Sequence, residues 1–254
     1  LMNKTAVEDC LNENNIDLIV NAAAWTDVDK AEDHKDDAQR LNADLPDQLA
    51  KYSATNKIKL IHYSSDYVFN GSGSKPWNEN SPIGPLNFYG QTKIKGDESI
   101  QQSCSNYLIF RTSWVYSARG NNFMKSMLKL AKNKTKLNVV SDQIGSPTPA
   151  RLIAEVTALA VKARLDSGLY HLTTRGETSW YGFAKAIFNL GLKAGFKLTL
   201  SSKNVNPILT REYPTPASRP QNSRMDSTKL ESALNIELPD WKSQLDLTFN
   251  ECIK

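Results

Sequence analysis

Short apolar runs of strand character alternate with helical stretches through this chain, and that alternation limits its folds more than any other feature. The runs are 17–21 (DLIVN), 57–64 (KIKLIHYS), 107–111 (YLIFR) and 137–140 (LNVV). A helix is expected over 6–14, with Val7 and Leu11 on one face, and others over about 35–53, 89–102 and 122–131. Strands separated by helices require crossover connections, which are right-handed and leave the strands parallel with helices on both faces. The reading is an α/β fold, a doubly wound parallel sheet.

Beyond Ser141 the pattern loosens. Helices are expected over 149–164 and 179–190, then a proline-bearing stretch over 207–220 and two short closing helices. A smaller C-terminal lobe of this kind commonly supplies substrate contacts beside a nucleotide-binding sheet.

With 254 residues, 40% of them hydrophobic, the chain can bury a proper core. Its net charge of +4 comes from scattered residues, so neither nucleic acid nor a membrane surface is expected as a partner. Cys10, Cys104 and Cys252 lie far apart, which suggests neither a disulfide framework nor a zinc site. The three histidines, His34, His62 and His171, share no ligand spacing, so no catalytic metal is expected. No apolar run approaches the roughly 20 residues that cross a bilayer, and no signal-like segment opens the chain. A cytoplasmic location is the expectation.

Tyr89 and Lys93 form a YxxxK spacing at the start of an expected helix, about one turn apart and on one face. An ammonium beside a phenol favours the phenolate and should lower a pKa that is ordinarily about 10. Such a phenol can protonate a carbonyl oxygen as hydride reaches the carbon. A chance YxxxK is expected roughly once in a chain of this composition, and Tyr181 and Lys185 share the spacing.

Context separates the two. Upstream of Tyr89, the run HYSSDYVF (62–69) ends an apolar strand in hydroxyls and a carboxylate, and ligands of open α/β sheets bind at the carboxyl ends of strands. Ser65 can there donate a hydrogen bond to a substrate oxygen; the blander reading is that Ser64 and Ser65 satisfy a turn. Tyr181 has no such partner upstream. A third feature is Ala22, Ala23 and Ala24 after the DLIVN strand, where small side chains let a flat or phosphorylated ligand approach the backbone, or simply begin a helix.

Together these segments resemble the extended short-chain dehydrogenase/reductase family, in its branch acting on nucleotide 4-keto deoxysugars. The resemblance rests on NAAAWTDVDKAE (21–32), HYSSDYVFNG (62–71), PLNFYGQTK (85–93), IFRTSWVY (109–116), GNNF (120–123), SDQIGSPT (141–148) and YPTPASRPQNSRMD (213–226), in family order. It implies a Rossmann-like sheet, with a dinucleotide-binding domain over 1–140 and a mainly substrate-binding lobe over 141–254, interleaved with the first. It implies NADPH or NADH as cofactor and reduction of dTDP-4-dehydro-L-rhamnose, in deoxysugar and cell-surface polysaccharide biosynthesis.

By the same resemblance Tyr89 is the proton donor, Lys93 holds the nicotinamide ribose, and Ser65 polarises the carbonyl. Ala23, Ala24, Trp25 and Thr26 line the cofactor, while Ser65, Asp66 and Trp114 contact the sugar nucleotide. The stretch near Arg219 would face the nucleotide end. Another nucleotide 4-keto sugar as substrate for reduction or epimerisation, or a non-catalytic regulatory subunit of the same fold, stays open, and a homodimer is a permitted assembly. The family opens with a strand, a glycine-rich turn and a helix that hold the cofactor pyrophosphate, and no GxxGxxG occurs in these residues. The expectation is a sheet incomplete at its N-terminus and weakened cofactor binding.

Overall fold

The computed structural model describes residues 1–253. Helix α1 (Lys4–Asn12) begins where the Asn3 side chain accepts the Ala6 N–H at 3.1 Å, and it buries Val7 and Leu11 as their spacing predicts. Strand β1 (Leu18–Asn21) follows.

The helix expected over 35–53 is interrupted. It runs as α2 (Lys35–Gln39), a π-helical turn at Arg40–Asp44, and α3 (Leu45–Asn56), which stops at Lys57 in the left-handed region, φ +57°. A π turn displaces the backbone ladder and is often found at functional sites; here it carries the buried Asn42. Strand β2 (Lys59–Ser65), helix α4 (Phe88–Ser103) and strand β3 (Tyr107–Thr112) complete the first half.

The chain continues through β4 (Val115–Tyr116), α5 (Phe123–Asn133), β5 (Leu137–Val140), β6 (Ile144–Gly145), β7 (Thr148–Pro149), α6 (Ala150–Lys162) and β8 (Gly168–His171). It closes with β9 (Thr178–Ser179), α7 (Trp180–Lys193), β10 (Val205–Ile208), β11 (Asn222–Ser223), α8 (Thr228–Leu234) and α9 (Trp241–Ile253).

The central sheet is parallel throughout, in the order β1-β2-β3-β8. Side chains alternate across it. Ile19, Leu60 and Ile109 pack beneath α1, α3 and α4, while Ile61, Leu108 and Phe110 pack against α6 and α8. Both faces are thus covered, which is why the interior strands read as apolar runs and not as alternating ones.

One strand is placed differently from the sequence reading. Leu137–Val140 does not join the central sheet; it pairs in parallel with β10, and Val139 packs on a separate cluster formed with α5, α7 and α9. The fourth place in the sheet goes to Gly168–His171, from the later part of the chain. Periodicity identifies a four-residue strand without saying which sheet receives it. Two further small sheets, β11-β6-β9 and β4-β7, lie beside this second cluster and the carboxyl ends of the central strands. Among the described residues no helix is long and apolar enough to cross a membrane.

Candidate active site

A cavity of about 560 Å³ is lined by residues from the carboxyl ends of β1, β2 and β3. Among its walls are Ala24, Thr26, Ser65, Asp66, Tyr89, Lys93 and Trp114, so seven of the nine residues to which the resemblance gave a role share one space. Ala22, the first of the three alanines after the DLIVN strand, lines it too. Ala23 instead packs on the cluster beneath the sheet, and the Trp25 ring stacks on His34 at 5.5 Å, its indole N–H donating to the Asp27 carbonyl. A larger hollow of about 720 Å³ beside α1 and α3 contains none of these groups.

Tyr89 and Lys93 sit one turn apart on α4. The helix start is fastened by two side chains: Asn87 Oδ1 accepts the Gly90 N–H at 2.8 Å, and Glu32 Oε1 accepts the Phe88 N–H at 2.9 Å. Asn87 also donates to the Ser218 carbonyl at 2.7 Å. At position 90 only glycine fits, because a Cβ would lie 2.2 Å from the Tyr67 carbonyl oxygen. This close approach brings the Tyr67 and Tyr89 rings edge to face, 5.5 Å apart.

The electrostatics differ from the sequence expectation in one respect. Lys93 Nζ points at the Tyr63 carbonyl, donating at 2.6 Å, and lies 3.4 Å from His62 Nε2. Burial lowers Lys93 to about 8, against the opposing pull of Asp97. The Tyr89 phenol is pushed up to about 12, not down: burial dominates, Asp66 and Asp97 add to it, and only a hydrogen bond with Ser65 opposes it. His62, 3.0 Å from the Asn21 amide, is held neutral by burial and by Lys93.

The Ser65 hydroxyl satisfies a turn and lies at the cavity. It accepts the Tyr67 N–H at 3.2 Å, capping a short turn, and donates to Asp66 Oδ1 at 3.1 Å while facing the cavity. Burial raises the Asp66 carboxyl to about 6, with the Ser223 and Ser65 hydroxyls holding it down. Its Oδ2 and the Thr112 hydroxyl are buried without a partner inside hydrogen-bonding geometry among the described residues. Both residues line the cavity, and buried polar atoms without a partner are suited to a polar ligand.

Asn42 was not found by sequence reasoning. Its Oδ1 accepts the Trp25 N–H at 2.9 Å, and its Nδ2 donates to the Trp25 carbonyl and the Thr92 hydroxyl, each at 3.1 Å. It therefore ties the loop after β1 to the helix of Tyr89 and Lys93. A polar residue inside a helical stretch was the only local signal. Arg219 does not line this cavity; its guanidinium grips Asp29 with contacts of 2.9 and 2.7 Å. The second YxxxK pair lies on α7 away from the cavity, with Lys185 over the Tyr181 ring at 5.3 Å.

The cavity therefore joins a protonated phenol, a second hydroxyl, a buried cation and small side chains at a strand end. Such a set can pass a proton to a carbonyl oxygen and hold a flat ring and its ribose. These residues suit the nicotinamide and ribose half of a dinucleotide.

Comparison with known proteins agrees with this chemistry. A family model described as "RmlD substrate binding domain" matches residues 1–253. The dTDP-4-dehydrorhamnose reductase of Escherichia coli K12 is 46% identical over 239 residues, 92% of this chain and 79% of that one. A crystal structure of a dTDP-4-dehydrorhamnose reductase from Clostridium acetobutylicum superposes with a TM-score of 0.91 at 34% identity, covering 100% of this chain and 87% of its own. The enzyme of that name from Bacillus anthracis, solved in complex with NADP, gives 0.89 at 34% identity, over 98% and 86%.

Proposed function

The chain belongs to the RmlD substrate binding domain family, and on that premise we propose that it reduces dTDP-4-dehydro-L-rhamnose to dTDP-L-rhamnose with NADPH or NADH. The observation that carries the reading is the meeting of Tyr89, Ser65 and Lys93 in one cavity at the strand ends.

The nicotinamide supplies hydride to the C4 carbon of the sugar. Tyr89 gives its phenolic proton to the C4 oxygen. Its raised pKa keeps it protonated at neutral pH, and the alkoxide that receives the proton is more basic still, so the transfer runs downhill. Ser65, turning its proton from Asp66 Oδ1, donates a hydrogen bond to the same oxygen, and Asp66 and Trp114 contact the sugar nucleotide. Lys93 holds the nicotinamide ribose. Ala24 and Thr26, with Ala23 before them and Trp25 between them, form the cofactor edge, and Asn42 fixes the Trp25 backbone. Residues 1–140 serve mainly as the dinucleotide-binding part, while 141–254 supply most of the substrate lobe and lend a strand to the sheet.

The test is loss of NADPH absorbance on mixing the protein with dTDP-4-dehydrorhamnose, with Tyr89→Phe alongside. Turnover by the wild type and none by the variant is expected. Near-normal turnover by Tyr89→Phe would overturn the assignment of the proton donor, and turnover only with another nucleotide 4-keto sugar would overturn the substrate.

A further inference from the structure

One wall of the cavity is Trp114, two residues past the end of β3, and its backbone is under constraint. Its φ is +50°, a left-handed conformation that bulky residues seldom adopt and that persists only where surrounding contacts enforce it. Two contacts press on its ring. The indole of Trp180 stacks on it with centroids 3.7 Å apart and planes 10° from parallel. The Gly145 backbone approaches so closely that a Cβ there would lie 2.7 Å from Trp114 Cε2.

Both contacts come from one small unit. Gly145 is in β6, which pairs antiparallel with β9 through Gly145 and Thr178, and Trp180 directly follows β9. The third strand of the unit, β11, carries Ser223, whose hydroxyl holds down the Asp66 carboxyl. Trp180 is itself anchored. Its Nε1 donates to Gln143 Oε1 at 3.1 Å, and its ring meets Phe123 at 4.6 Å, which stacks in turn on the buried Phe183. A chain of aromatic rings thus runs from the cavity wall into the core of the second lobe, while Trp180 does not line the cavity.

We infer that Trp180 is a positioning residue for the sugar-nucleotide subsite, holding the Trp114 indole in place as its wall. The inference rests on the proposed role of Trp114 at that subsite. Removing the Trp180 ring takes away the stacking partner, and Trp114 then relaxes toward an ordinary backbone conformation and leaves the wall.

The experiment is calorimetric titration of dTDP-L-rhamnose into the wild type, Trp180→Ala, Trp180→Phe and Trp114→Ala, with circular dichroism of each. Trp180→Ala should weaken binding about 2- to 12-fold, the affinity equivalent of one lost aromatic pair. Trp180→Phe keeps a stacking ring and should recover most of the loss. The band of the coupled indoles should vanish equally in Trp180→Ala and Trp114→Ala. Wild-type affinity in Trp180→Ala, alongside a weakened Trp114→Ala, would overturn the inference and spare the subsite. Failure of Trp180→Phe to recover affinity would also overturn it. Wild-type affinity in Trp114→Ala would instead overturn the role given to Trp114, and the inference with it.

Discussion

Replacing Asn42 with alanine should loosen the cofactor edge and lower stability by an amount the contacts allow one to work out. The side chain makes three hydrogen bonds, to both backbone groups of Trp25 and to the Thr92 hydroxyl. Each is worth about 0.5–1.5 kcal/mol net, and a buried group left unpaired costs more. Trp25 is only part-buried and water can reach its freed backbone, while Thr92 keeps its bond to the Tyr89 carbonyl at 2.8 Å. The loss should therefore be about 2–3 kcal/mol. At about 2–4 °C per kcal/mol for a chain near this size, the melting midpoint should fall by about 4–12 °C. Thermal unfolding followed by circular dichroism reads the shift, and KM for NADPH should rise more than kcat falls. Asn42→Asp keeps the acceptor for the Trp25 N–H but sets a carboxylate against the Trp25 carbonyl, so it should be at least as damaging as alanine. A midpoint within about 2 °C of wild type in Asn42→Ala would refute the reasoning, since it would mean that the three bonds carry almost nothing.

Gly90→Ala sets a Cβ 2.2 Å from the Tyr67 carbonyl oxygen and 2.9 Å from Pro85 Cβ, so the start of α4 must move and Tyr89 with it. Stability should fall by about 1–3 kcal/mol and kcat should drop further than the melting point suggests; unchanged kcat would count against the fit described at this turn. Asp66 supplies a pH test. Its folded-state pKa is raised from 3.8 to about 6, so the native state holds the proton more tightly and this group's contribution to stability is lost as pH rises through that window. At pH 7.5 the buried carboxylate costs about 1–3 kcal/mol, so Asp66→Asn should raise the urea midpoint there and lose its advantage near pH 4. A variant less stable than wild type at pH 7.5 would reverse the sign.

What the sequence determined by itself was set by local order. Strand runs alternating with helical stretches specified a parallel α/β sheet, because a helix between two strands carries the chain back along the sheet and the next strand then runs in the same direction. Tyr89 and Lys93 were legible because four residues make about one helical turn, and Ser65 and Asp66 because they end an apolar strand. Tertiary structure decided the rest. Leu137–Val140 reads as a strand anywhere, and only the packing of Val139 against α5 and α7 assigned it to a separate sheet. Asn42 reaches partners 17 and 50 residues away, and Trp180 meets Trp114 across two different elements, so neither contact has a local signature. The direction of the Tyr89 shift was decided in the same way. YxxxK places an ammonium and a phenol on one helical face, but the folded surroundings turn Lys93 toward the Tyr63 carbonyl and bury the phenol, so desolvation raises the Tyr89 pKa against only the Ser65 hydrogen bond.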